Sequence, residues 1–75
     1  MFSEKSFSAR LKEVRKAKSL TLEQLGNDLG SSKGTFSALE TGRKKPSLDM
    51  VINLSNYFNI SIDYLLGLSD DPNRH

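Results

Sequence analysis

The sequence has no cysteine. Disulfides and thiolate metal sites therefore cannot hold it together, and nothing argues for an oxidising compartment. Its one histidine, His75, stands at the last position, and a lone terminal imidazole makes no metal site. The carboxylates fall at helix starts and on helix surfaces rather than in a convergent cluster, which argues against an enzyme. No apolar run approaches the roughly 18 residues a membrane span needs, and the opening MFSEKSFSAR lacks the apolar centre of a signal peptide. Internal repeats and strand-like alternation are missing too. These absences lead us to expect a cytoplasmic chain with no metal, no cofactor, no membrane association and no evident small-molecule ligand.

With 75 residues there is room for one domain, near the size at which only about 60% of the unfolded surface is buried on folding. The net charge of +2 says little, but its distribution says more. From Met1 to Pro46 ten Lys or Arg stand against five acids, a balance of +5; from Ser47 to His75 one Arg stands against four Asp, a balance of −3. One half can face a polyanion and the other cannot.

Apolar residues recur at helical spacing along the chain. Phe7, Leu11 and Val14 mark a first amphipathic helix ending near Lys18, with Leu20 buried in the link that follows. Thr21 and Gln24 have the spacing of a capping box and start a second helix with Leu22, Leu25 and Leu29 on its apolar face. Gly26, inside that helix, predicts close packing against the third, since a helical glycine costs about 1 kcal/mol relative to alanine. Gly30 can take positive φ and re-aim the chain. Ser31 or, better placed, Ser32 caps a third helix running from about Ser32 to Thr41, with Phe36 and Leu39 inward. Gly42 and then Pro46 end it.

Ser47 caps a fourth helix whose inner stripe is read as Leu48, Val51, Ile52, Ser55 and Phe58, with Asp49 suited to the dipole in its first turn. Ser61 caps a fifth through Leu66, with Gly67 closing it. Little fixed structure is expected of the tail LSDDPNRH. The expected organisation is an arm over residues 1–6, a domain over 7–67 and a polar tail over 68–75.

The first helix, TLEQLGNDLG, SSKGTFSALETGRKKPS and ISIDYLLG, in this order and spacing, resemble the phage-repressor-like helix-turn-helix family of XRE or Cro/CI type over residues 7–67. The resemblance implies an all-α, five-helix lambda-repressor-like domain. It also implies a sequence-specific DNA-binding transcriptional regulator, a repressor acting as a homodimer on a palindromic operator in double-stranded DNA. By family position the base-reading residues are Lys33, Gly34, Ser37 and Ala38. Lys33 has the reach for guanine O6 and N7, Ser37 can donate or accept, and the Ala38 methyl can meet a thymine methyl. Phosphate contacts fall on Thr21, Thr35, Thr41, Arg43, Lys44 and Lys45.

Arg15 and Glu40 match a structural pair of relatives, and Tyr64 and Leu68 are the dimer candidates. Two positions depart from the pattern: Leu22 replaces a glutamine that binds phosphate in many members, and Ser31 replaces an apolar turn residue. A protein-interaction module on the same fold, an antitoxin or antirepressor with weak or no DNA binding, is the competing reading.

Overall fold

The structure, a computed structural model, describes residues 4–74. Among the described residues there are five helices: α1 (Glu4–Ala17), α2 (Leu22–Leu29), α3 (Lys33–Glu40), α4 (Leu48–Phe58) and α5 (Ile62–Leu65). No strand occurs among the described residues.

Four of the five helices begin in the same way. Thr21, Ser32, Ser47 and Ser61 hold extended backbone angles, and each hydroxyl accepts the amide three residues on, at 3.0, 3.1, 3.1 and 3.0 Å. At α2 the box is complete, because the Thr21 amide donates to Gln24 Oε1 at 2.8 Å. Each cap satisfies an amide that the helix cannot satisfy itself, so four helix starts are set by short-range chemistry.

The ends are equally local. Gly30 and Gly42 take φ of +68° and +78°, the left-handed conformation that a Cβ disfavours. After α3 the amide of Gly42 bonds the Leu39 carbonyl and that of Arg43 bonds the Ala38 carbonyl, the paired bonds of a Schellman ending. Asn59 closes α4 at φ +54°, a conformation that asparagine tolerates better than most residues.

Phe7 and Leu11 of α1, Leu25 of α2, Phe36 and Leu39 of α3, Val51, Leu54 and Phe58 of α4, Ile60, and Leu65 of α5 form one buried core. Val14, Leu20, Leu22 and Leu29 pack against it partly buried. Burial of this surface, on the order of 25 cal/mol per Å² of apolar area, is what holds helices this short in place.

Three expectations are corrected. The first helix begins at Glu4, so residues 4–6 of the expected arm are helical, while residues 1–3 lie outside the described residues. On α4, Leu48 and Ile52 are 73% and 39% exposed and Leu54 is buried instead. The helix carries apolar side chains on more than one face, and packing into the shared core selects the stripe that holds Leu54.

The tail is also tied down through residue 74. The Ser61 amide donates to the Pro72 carbonyl at 2.9 Å, and Arg74 donates to Asn56 Oδ1 at 2.8 Å. A tail without periodicity can still be ordered by bonds to distant backbone.

Candidate nucleic-acid interface

The corner between α2 and α3 is built on Gly26. Its carbonyl accepts the amides of both Gly30 and Ser31, the latter at 2.8 Å. A Cβ at Gly26 would lie 2.8 Å from the Ser31 carbonyl oxygen and 3.2–3.3 Å from backbone atoms of Ser32 and Lys33. The turn and the first residue of α3 therefore lie directly on the α2 backbone, as the glycine predicted.

The same corner is braced from α1. Arg15 donates through Nε to Glu40 Oε2 at 2.6 Å and through Nη2 to Glu40 Oε1 at 3.0 Å, a two-pronged pair between α1 and the last turn of α3. Its Nη1 donates to the Leu20 carbonyl at 2.7 Å, and the Leu20 amide returns to the Arg15 carbonyl at 3.2 Å. Both side chains are largely withdrawn from solvent, and the hydrogen bond to Glu40 raises the Arg15 pKa above its ordinary value. One guanidinium thus fixes the α1–α2 link and the end of α3 together.

Ser8, not anticipated from sequence, adds a second tie. It is buried and donates to the Leu39 carbonyl at 2.6 Å, adding a short side-chain bond to a carbonyl at the end of α3 that otherwise accepts only longer turn bonds such as that from Gly42 at 3.4 Å. The signal for it was slight, a small hydroxyl beside Phe7 on the flank of an apolar stripe. Arg10 was missed for a similar reason, since it reads as ordinary helix surface. Its guanidinium lies 3.8 Å over the Tyr64 ring and donates to the Tyr64 carbonyl at 2.9 Å, joining α1 to α5.

Held in this way, α3 presents Lys33 and Gly34 exposed and Ser37 and Ala38 half-buried. A cation in the first turn of a helix opposes the dipole, and no acid among the described residues pairs with Lys33. A Cβ at Gly34 would meet only Ser32 Oγ, at 3.8 Å. Internal packing therefore does not require a glycine there, in contrast to Gly26.

The expected phosphate residues fall into three places. Thr35, Lys44 and Lys45 line a cleft beside α3 together with Ser47, over Leu39, Pro46 and Met50. Thr41 donates to the Ser37 carbonyl at 2.9 Å and accepts from Arg43 Nε at 3.0 Å, so those two form one unit. Thr21 stands apart at the start of α2, its hydroxyl oxygen engaged by the Gln24 amide. Leu22, the second-helix position that departs from the family pattern, is half-buried against the core. Tyr64 is half-buried beneath Arg10, and Leu68 is 56% exposed.

Two short helices meeting at a glycine turn, the second offering an accessible face beside a basic loop, define a helix-turn-helix DNA-binding domain. The comparisons with known proteins agree. The helix-turn-helix family model matches residues 11–65, and the chain belongs to this XRE-type family of transcriptional regulators, which are not enzymes.

The chain is 42% identical over 66 residues to the uncharacterized HTH-type transcriptional regulator YobD of Bacillus subtilis, covering 88% of this chain and 59% of that protein. It is 30% identical over 64 residues to the cryptic phage CTXphi transcriptional repressor RstR of Vibrio cholerae, covering 85% and 58%. Among solved structures it is similar to the P22 c2 repressor in complex with a synthetic operator, at a TM-score of 0.77 and 27% identity, covering 84% of this chain and 96% of that one. The chain thus spans about three-fifths of the length of these two curated relatives. Among the described residues no helix is long and apolar enough to cross a membrane.

Proposed function

We propose that this chain is the operator-binding part of a repressor that enters the major groove with α3 and reads a palindromic site as a homodimer. Gly34 carries the reading. It sits at the exposed start of α3 where nothing in the protein fills the space of a side chain, and such a gap suits close approach of the helix backbone to a duplex. In this reading Lys33 contacts guanine, Ser37 and Ala38 meet neighbouring base edges, and the cleft of Thr35, Lys44 and Lys45, the Thr41–Arg43 unit and Thr21 take phosphates. With one long reader among small residues, DNA shape carries part of the selectivity.

The dimer draws on exposed aliphatic surface in the second half of the chain. Leu68 is available, whereas Arg10 covers one face of Tyr64. Leu48 and Ile52, one turn apart on α4, and Ile62 of α5 add to that surface at 73%, 39% and 38% exposure. Two such domains place two α3 helices about one turn of DNA apart.

Selection of bound duplexes from a random pool, with wild type and Lys33→Ala in parallel, tests the reading. We expect palindromic sites for the wild type, altered or weakened selection for the variant, and affinity that falls steeply with salt. Identical selection by both proteins overturns the role of Lys33. Salt-independent affinity, or no bound duplex at all, favours the protein-interaction module.

A further inference from the structure

We propose that the outer face of α1 is a second polyanion-binding surface, on which Lys5, Lys12 and Lys16 grip the DNA backbone beyond the segment that α3 reads. This rests on the DNA-binding reading of α3.

At about 100° per residue, the three lysines fall within an arc of roughly 40° on α1, so they form one row despite their irregular spacing in sequence. All three are exposed, and among the described residues no acid pairs with any of them. Lys12 and Lys16 are one turn apart, a like-charge spacing that disfavours the helix by itself.

The other flank of α1 is different. There Arg10 faces Glu13 and Asp70, each at 3.8 Å, and its charge is balanced within the protein. The lysine row is the unbalanced side.

Its position follows from its neighbours. Ser8 and Arg15 lie on the helix surface between the core stripe and the row, and both reach α3: Ser8 to the Leu39 carbonyl at 2.6 Å, Arg15 to Glu40 at 2.6 Å. A Cβ at Gly42 would be 3.7 Å from Ser8 Oγ. The row therefore lies on the outward face of α1, about 60–80° around the helix from the flank that reaches the end of α3, so that it adds positive charge on the same side of α1 as the chain's passage into Arg43, Lys44 and Lys45. From Lys5 to Lys16 the rise is about 16 Å. Projected on the axis of a duplex, that length covers about five base pairs at about 3.4 Å of rise each. Regular unit negative charges over that length are what a nucleic-acid backbone presents.

The test compares wild type with the triple variants K5Q/K12Q/K16Q and K5R/K12R/K16R. The probes are a site selected from a random pool, trimmed to its core or embedded in a duplex about three turns (~30 base pairs) long. All three proteins should melt alike, because the substituted side chains are exposed.

On the long duplex the Gln variant is expected to lose at least about tenfold in affinity and to flatten the slope of log K against log salt by about 0.9 for each contact removed. The Arg variant should retain both, and on the trimmed core the Gln variant should match wild type. Equal slopes for wild type and the Gln variant on the long duplex overturn the proposal, as does an equal loss on both duplexes. Lysine-dependent binding to phosphatidylserine vesicles with unchanged DNA slopes also overturns it and assigns the row to a membrane surface. If wild type binds no duplex, the reading of α3 falls as well; if it binds and the Gln variant is unaffected, only the lysine surface falls.

Discussion

Arg15 and Glu40, 25 residues apart in sequence, meet through two hydrogen bonds of 2.6 and 3.0 Å with only 12% and 6% of their side chains accessible. Attraction in such a place is offset by the cost of removing both charges from water, so the pair is a positioning device more than a net source of stability. Removing one partner is another matter, since it strands the other. Glu40→Ala is expected to cost about 2–4 kcal/mol in urea unfolding, somewhat below the usual range because Arg15 keeps its bond to Leu20. It should also weaken DNA binding, because the end of α3 loses its tether. Replacing both residues with apolar ones of similar size should cost far less than the single change, which a double-mutant cycle measures.

The two glycines of the corner should respond oppositely to alanine. At Gly26 the new methyl would stand 2.8 Å from a backbone oxygen that cannot swing away, so Gly26→Ala should destabilise by about 1–3 kcal/mol despite alanine's better helix propensity. At Gly34 the methyl has room, and Gly34→Ala should leave stability unchanged or raise it by up to about 1 kcal/mol. Its cost should appear in affinity for DNA. Thermal melts and anisotropy titrations on the two variants separate a glycine needed by the fold from one needed by a partner.

Ser8→Ala should destabilise by about 1–3 kcal/mol, although serine and alanine differ by one oxygen. The hydroxyl is buried, and without it the Leu39 carbonyl loses its side-chain donor at the end of α3. Threonine at the same position keeps the donor, and chemical denaturation of Ser8→Thr beside Ser8→Ala distinguishes the lost bond from a change in packing.

Tyr57 donates to Asp28 Oδ2 at 2.6 Å, linking α4 to α2, and this bond raises its pKa above the ordinary phenol value. A group whose folded pKa is raised adds stability that is complete below its unfolded pKa, about 10 for a phenol, and is lost as pH rises through the folded value. The bond should therefore contribute a constant amount at neutral pH and fade only in strong alkali. Ultraviolet titration in a Tyr64→Phe background should show Tyr57 ionising later than a free phenol, with Asp28→Ala restoring the ordinary value.

What the sequence determined by itself is the set of features whose partners are close along the chain. The hydroxyls of Thr21, Ser32, Ser47 and Ser61 act on amides three residues away, and Gly30 and Gly42 turn the backbone where they stand. Helix starts, the glycine corner and the exposed start of α3 were therefore legible, as was the closeness that Gly26 permits.

The tertiary structure decided everything that depends on distant neighbours. The apolar residues of α4 allow more than one inward stripe, and only packing against the other helices turns Leu54 in and leaves Leu48 and Ile52 out. Ser8 and Arg10 look like ordinary helix surface until α3 and α5 bring carbonyls to them. The same holds for the tail, whose anchors on Ser61 and Asn56 no local pattern encodes. Short-range hydrogen bonding is written residue by residue, whereas burial and long-range pairing exist only once the helices have met.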